Sequence, residues 1–510
     1  MLKKTHLLIV ALAIVKFVLP FILQSSVFEL HRDEYLYYQQ GQHLALGYLE
    51  NPPLIGWLAG VSSLLGGSFF WIKFWPCIFG SFTLLITAAI ARQLGGGLFA
   101  QALAALAIIF SGFMRMHFLF QPNFLDVFFW SLAAYFLIGF INSGKDKFLY
   151  YLSITLAIGW WGKYSILLFI TSIVIAILLT KYRSMFLKKH FWYAVAVGLL
   201  IIIPNLVWQY YFNWPLVHHM KELQDTQLQY LLPLDFLKEQ VLQLFPFFIV
   251  WLAGLIWLLR SNTYRIIALV YCSVIALLLV SSGKGYYALG AYPMLLAAGG
   301  VCIERWSVRF HWIRYATIAV VLLLSLVSIK LLLPTEAPAK MAAFNERYHL
   351  AEKGLLRWED LRAHPLQQDF ADMLGWKELA QKTDRFLSSL PDSIQKKAVV
   401  LCGNYGQAGA LEYYSSEALR HKIISTNGSF VLWMPKDLSF DHLIFVADAV
   451  PAVDDPLFSH FESATKVDSV TDRYSRQYGN QIIFFKNADA EFHRLASQAL
   501  QQKRAAFSND

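Results

Sequence analysis

Asp33 and Glu34 stand side by side in HRDEYLYYQQGQHLALGYLENPP, directly after an apolar run from about Leu7 to Leu23. A chain built to live in lipid has little structural use for paired carboxylates at the mouth of a helix. A carboxylate there can take a proton from a hydroxyl, which points to chemistry at a membrane surface. A third acid, Asp126, lies in FQPNFLDVFFW, and polar groups recur at corresponding ends of other apolar segments: Arg32, Glu50, Asn51, Arg115, His117, Asn123, Lys163, His218, His219, Lys284, Tyr286 and Tyr287. Taken singly, each reads equally well as a side chain snorkelling to water. Their convergence on one face favours a site. Asp33 also reads as a helix cap opening a helix over 34–46.

The elements that must hold these groups are membrane helices. With 57% hydrophobic, 16% aromatic and 15% charged residues, the composition is that of a polytopic membrane protein. Lys3 and Lys4 before the first apolar run fit a signal peptide in part, but no small-residue cleavage site follows, and a retained anchor is expected. Further apolar segments over 70–91, 98–114, 122–141, 148–162, 164–180, 191–211, 240–259, 264–281, 286–303 and 313–333 bring the total to about eleven spans. The pair around Trp160, Trp161 and Lys163 reads as one broken helix or two tilted ones. Lys3, Lys4, Arg92, Lys145, Lys147, Lys181, Arg183, Lys188, Lys189, Arg260, Arg265, Arg305, Arg309 and Arg314 fall in the short connections of one side. The positive-inside rule makes that side cytoplasmic, with the amino terminus on it, and places 25–69, 212–239 and everything after about 334 outside. These anchors account for the net charge of +9, so no nucleic-acid partner is implied.

After Leu333 the pattern changes. Pro334, Pro338 and a polar stretch lead to AVVLC (398–402), HLIFVADAV (442–450) and QIIFF (481–485), separated by helix-like pieces. The expected organisation is a transmembrane domain over 1–335, including the external loop 25–69, and a soluble extracytoplasmic α/β domain over 336–510. Asn404 to Tyr414 reads as an ordinary strand-to-helix turn, or as a helix opening able to receive an anion. The four cysteines show no pairing or metal spacing and are expected to be free and buried.

DEYLYYQQGQHLALGYLENPPL resembles the first external loop of type C glycosyltransferases of the protein-mannosyltransferase superfamily, where an Asp-Glu pair precedes an aromatic-rich helix and a turn of the GY-(D/E)-x-PP kind. FQPNFLDVFFW resembles that family's second acidic motif, and GKGYYALGAYPMLLAAGG its late lysine-tyrosine segment. The likeness covers about residues 30 to 300 and is closest to bacterial family-39-like enzymes, with lipid A aminoarabinose transferases more distant.

The resemblance implies a mostly α polytopic fold and transfer of a sugar, with inversion, from a polyprenyl-phosphate donor to a glycolipid, envelope glycan or protein acceptor on the outer face of the bacterial cytoplasmic membrane. It makes Asp33 the base, Glu34 its orienting or acceptor-binding neighbour, and Asp126 the group that organises acceptor or sugar hydroxyls. Lys284 and Tyr287 match the late motif and are assigned to the donor phosphate, with Arg115 and Lys163 as further cations for the clamp. Tyr37, Glu50, Asn51, His218 and His219 are assigned to substrate. Relatives often carry His or Lys where this chain has Asn51, so phosphate contact must come from elsewhere. No cofactor is certain; Glu50 with His218 or His219 are candidate ligands of a divalent metal, too few to argue one. The alternative is a transporter or flippase of lipid-linked sugars, against which stand charges at helix ends rather than mid-membrane and no paired halves.

Overall fold

The computed structural model describes residues 2–226, 228–230, 232–435, 440–447 and 456–507. Among these, sixteen α-helices run to Leu332. They begin α1 Leu2–Leu23, α2 Arg32–Gln40, α3 Leu54–Leu64, α4 Phe69–Gln93, α5 Leu98–Phe110, α6 Phe113–Met116, α7 Asn123–Ser143 and α8 Lys147–Gly162. There follow α9 Ile166–Leu178, α10 Lys189–Tyr211, α11 Pro215–Thr226, α12 Pro233–Gln243, α13 Phe248–Arg260, α14 Arg265–Val280, α15 Tyr292–Trp306 and α16 Trp312–Leu332.

Of the eleven apolar segments, six build helices long and apolar enough to cross a membrane, or eight if two pairs bent by 107° and 106° each count as one span. The shortfall is a matter of length: α5, α8 and α14 have 13, 16 and 16 residues. At 1.5 Å per residue they reach about 20–24 Å, short of a ~30 Å hydrocarbon core. The segment around Trp160 is two helices, with Lys163 extended at the break between α8 and α9. Helices α13 and α15 approach through glycine: a Cβ on Gly254 would lie 2.6 Å from the Gly299 nitrogen, so any side chain there would force the pair apart.

One end of the bundle gathers the basic connections, where Arg92 meets His6, Lys188 meets Asp146, and Glu304 accepts from the Gly97 amide. The opposite end carries α2, α3 and the breaks before α7 and α9. Cys77, Cys302 and Cys402 are free and buried, but Cys272 is exposed on the outer side of α14, correcting the expectation for that thiol.

Beyond Leu333, five strands form one sheet: β1 Ala398–Cys402, β2 Ile423–Ile424, β3 His442–Val446, β4 Phe461–Ser469 and β5 Gln481–Ala488, in the order β2-β1-β3-β5-β4. Strand β1 is parallel to β2 and β3, whereas β5 is antiparallel to β3 and β4. Strand β3 covers the first part of the HLIFVADAV run; 448–450 lie outside the described residues. The sequence pattern did not announce β2, which is two residues long, or β4, whose exposed positions are polar or charged.

The sheet region is docked on the bundle through the segment between α1 and α4. Backbone amides of Ser25, Glu29 and Arg32 donate to the carbonyls of Pro334, Met373 and Asp372 at 2.9, 2.8 and 3.0 Å. Leu36 lies in the same apolar core as Val400 and Leu411, Phe28 in one with Phe370, and Leu49 in one with Val431. The loop 25–69, grouped with the membrane domain on hydropathy, is therefore packed as part of both bodies.

Candidate active site

Helix α2 opens with a capping box. The His31 ring accepts from the Asp33 amide at 3.2 Å, and Glu34 accepts from the His31 amide at 2.7 Å. His31, not Asp33, is the cap, which leaves the Asp33 carboxylate for other partners. The helix ends at Gln40, shorter than the expected 34–46.

Tyr405 donates its hydroxyl to Asp33 Oδ1 at 2.7 Å, and the Gln121 amide donates to Oδ2 at 3.1 Å. Burial pushes the Asp33 carboxyl up, but the charges of His31 and Arg32 and the Tyr405 hydroxyl outweigh it and hold it below the ordinary carboxylate range. It is an ionised acceptor at neutral pH.

From Gln121 a hydrogen-bonded line continues across the site. Asn123 donates to Gln121 Oε1 at 3.1 Å, and Lys163 donates to Asn123 Oδ1 at 2.5 Å. The Lys163 ammonium sits 4.5 Å from the centroid of the Tyr287 ring and 5.6 Å from that of Tyr286. Ser165 donates to Asp126 at 2.8 Å, so the break between α8 and α9 brings Lys163 and Ser165 to the start of α7. Tyr37, one turn after Asp33 on α2, lies close enough to Asp33, Tyr405, Glu50 and Tyr287 for their charges to raise its phenol well above the ordinary range, burial being the larger cause. Lys163 in turn lies near enough to both Asp126 and Lys284 to feel their charges, so Asp33, Tyr37, Asp126, Lys163, Tyr287 and Lys284 surround one region at one end of the bundle.

Other expected residues are committed elsewhere. Both Glu34 oxygens accept from Lys73 Nζ at 2.7 Å, and Oε1 also accepts from the Phe120 amide at 2.5 Å. Glu34 and Lys73 are fully buried, so the Glu34 carboxylate is paired inside the fold. Arg115 donates to Asp369 at 2.7 Å and to the Leu331 and Leu332 carbonyls, tying the end of α16 to the sheet region. Asn51 exchanges two hydrogen bonds with Gln40, at 2.9 and 3.0 Å, and is buried. Glu50 accepts from the Ser429 amide and hydroxyl, each at 2.6 Å, and from Gln40. His218 is exposed and lies beside Asn213, while His219 feels the charges of Glu50 and Glu222. Among the described residues no three His, Cys, Asp or Glu side chains gather as metal ligands.

Several groups around the site were not read from sequence: Gln121, Ser165, Tyr405, and the ion-paired cluster of Glu359, Asp372 and Arg476 that meets Lys284 through Glu359. The last four come from the carboxy-terminal region, whose strand-helix-strand pattern carries no motif for them. The turn at Asn404 was legible. Its helix, Tyr405–Tyr414, is opened by a capping box between Asn404 and Gln407, and this box points Tyr405 at Asp33.

A search of known structures finds the crystal structure of ArnT from Cupriavidus metallidurans bound to undecaprenyl phosphate, with a TM-score of 0.61 over 95% of this chain and 98% of that one, at 13% identity. The chain has the type C glycosyltransferase fold. Apo ArnT superposes equally, with a TM-score of 0.61 at 14% identity over 94% and 98% of the two chains. The archaeal oligosaccharyltransferase AglB from Archaeoglobus fulgidus, in complex with an inhibitory peptide and a dolichol-phosphate, gives 0.50 at 11% identity over 87% and 69%. In sequence, residues 50–208 match the family described as dolichyl-phosphate-mannose-protein mannosyltransferase. The lipid A galacturonosyltransferase RgtD of Rhizobium johnstonii is 23% identical over 193 residues, 38% of this chain and 41% of that protein, so the alignment spans under half of this relative. The family-model match starts at Glu50 and therefore excludes Asp33; the structural match takes in nearly the whole chain.

Proposed function

We propose that the chain is a membrane glycosyltransferase that moves a sugar from a polyprenyl-phosphate donor to an acceptor hydroxyl on the outer face of a bacterial cytoplasmic membrane, with inversion at the anomeric carbon. The observation that carries the reading is the ionised Asp33 carboxylate, linked through Gln121 and Asn123 to Lys163 and set near the lysine-tyrosine segment at Lys284. An acceptor oxygen attacks the anomeric carbon as its proton passes to Asp33. The bond to the phosphate oxygen breaks, and polyprenyl phosphate leaves with the electron pair. Because phosphate is already a good leaving group, the donor needs cations more than an acid, and Lys163 and Lys284 supply them.

Asp126, held by Ser165, is positioned to orient hydroxyls of the sugar or acceptor, and Tyr37 and Tyr287 wall the same space. The acceptor is a glycolipid, an envelope glycan or a protein. In this reading the end of the bundle carrying α2 and the sheet region faces outward and the basic end faces the cytoplasm. The test is turnover of radiolabelled polyprenyl-phosphate sugar by the purified protein. Asp33→Asn should lower it roughly 100-fold or more while donor binding persists; near-normal turnover would remove the reading. Movement of the lipid-linked sugar across a vesicle membrane without transfer would favour the transporter alternative.

A further inference from the structure

A short hairpin of the carboxy-terminal region reaches the donor side of the site. Arg357 and Ala363 pair as an isolated antiparallel bridge, the Trp358 amide donates to the Arg362 carbonyl at 3.0 Å, and the Trp358 and His364 rings stack 3.6 Å apart. The Trp358 indole donates to the Leu366 carbonyl at 2.8 Å, which anchors the hairpin at its base. At its turn is Glu359, whose backbone amide donates to the Gln368 side chain at 2.8 Å and holds the turn in place.

The two carboxylate oxygens meet two cations from opposite bodies. Glu359 Oε2 accepts from Arg476 at 3.1 Å, and Oε1 lies 3.8 Å from Lys284 Nζ. Arg476 also holds Asp372 at 3.2 Å, and Arg32 is close enough to stabilise the charge on both Glu359 and Asp372. Burial pushes the Glu359 carboxyl up, but Arg476, Lys284 and Arg32 together bring it below the ordinary range, so it is an anion in place. Its side chain is 39% exposed, against 1% for Asp372. Asp372 is built into the fold, and Glu359 is the member of the cluster with room to leave.

We propose that Glu359 is a built-in counter-ion that stands where the donor phosphate binds, and that an arriving phosphate displaces it and takes over Arg476 together with Lys284. The inference rests on the assignment of Lys284 to the donor and deepens it, adding a cation from the sheet region that sequence did not reveal. A phosphodiester and a carboxylate each present two oxygens carrying one negative charge, so the same pair of cations suits both. Both anions cannot share the pair without uncompensated repulsion in a partly desolvated place. Glu359 keeps Lys284 and Arg476 neutralised and aligned when the donor is absent, and its departure opens the hairpin as the donor enters. After transfer, the return of Glu359 competes with the polyprenyl phosphate product and favours its release.

The test is binding of undecaprenyl phosphate to the purified full-length protein in nanodiscs, by titration, for wild type, Glu359→Gln, Arg476→Gln, Lys284→Ala and Glu352→Gln. If the competent, Glu359-displaced state is populated at about 10–20%, removing the charge raises apparent affinity about 5–10-fold. Glu359→Gln should therefore tighten binding by that factor, lower the donor KM and slow product release. Arg476→Gln should weaken binding. Glu352→Gln, the same charge change on an exposed residue paired with His349, should alter nothing. Unchanged or weaker binding by a Glu359→Gln protein that melts like wild type overturns the counter-ion, as does equal tightening by Glu352→Gln. Should Glu359→Gln loosen the hairpin, Glu359→Asp decides: it keeps the charge, and tightening as strong as that of Gln would overturn the proposal. Lys284→Ala separates the two levels: full binding by that variant overturns the donor assignment itself, whereas weakened binding without a gain at Glu359→Gln overturns the counter-ion alone.

Discussion

Glu34→Gln should damage this protein through its fold, and the size of the effect follows from what Glu34 touches. Its carboxylate and the Lys73 ammonium are both fully buried, 2.7 Å apart through both oxygens, and the carboxylate also receives the His31 and Phe120 amides. Glutamine keeps an acceptor for the amides but leaves the ammonium without a counter-charge and sets an NH2 against it. Removing one partner of a buried pair costs about 3–5 kcal/mol, and because neither group is exposed no screening by solvent reduces it. The assay is thermal unfolding in detergent beside turnover normalised to folded protein. Glu34→Gln should melt well below wild type yet keep most of its turnover per folded molecule, and Glu34→Gln with Lys73→Met should recover much of the loss because the orphaned charge is gone. The double-mutant cycle should show coupling of at least about 2 kcal/mol. Wild-type melting with turnover reduced as far as in Asp33→Asn would refute this reasoning and return Glu34 to the chemistry.

The cation prediction is that Lys284→Ala loses roughly 2–4 kcal/mol of transition-state stabilisation, with Lys284→Arg only a partial rescue because a planar fork does not reproduce a point charge; turnover kinetics of both variants check it. Gly409→Val should undock the sheet region from α2, since a Cβ there already lies 2.8 Å from Tyr35 Cβ; limited proteolysis should release carboxy-terminal fragments and activity should fall. The depressed Asp33 carboxyl is bound more firmly as the anion by the folded chain than by the unfolded one. Its contribution is present above about pH 4 and lost as pH falls through the lowered value. The melting difference between wild type and Asp33→Asn should accordingly shrink between pH 7 and pH 3, as followed by thermal scans. Finally, a cysteine introduced beside Asp33 should react with a membrane-impermeant thiol reagent in intact spheroplasts, and one beside Lys188 should not.

What could be read from sequence and what could not divide along a physical line. Hydropathy marks a helix wherever apolar residues run together, so α1, α4, α7, α10 and α16 were legible to within a few residues. It does not measure whether a helix is long enough, and α5, α8 and α14, at 13, 16 and 16 residues, are shorter than a bilayer-crossing helix. At the site, Asp33, Asp126, Lys163 and Lys284 were legible because an ionisable group beside an apolar run has to be accounted for. Glu34 has the same signature for the opposite reason. Its partner Lys73 sits inside an apolar helix, and only the packing of α4 against α2 shows that the two charges cancel.

The residues that sequence missed are those contributed across the join. Tyr405 is 372 positions from Asp33, and Arg476 is joined to Lys284 of the bundle through Glu359. Local pattern cannot predict such pairs, because nothing about a tyrosine after a strand says which surface its helix will cover. The reason the helix covers this one is legible only afterwards: Gly406 and Gly409 flatten one face of it, and that face lies against Arg32 and Tyr35. The same docking supplies the hydroxyl on Asp33, the second cation near Lys284 and the carboxylate between them. The carboxy-terminal region therefore shapes the electrostatics of the site directly. A chain truncated after α16 should lose the setting of Asp33 even if its membrane helices still assemble, because Asp33 would keep Gln121 and lose Tyr405.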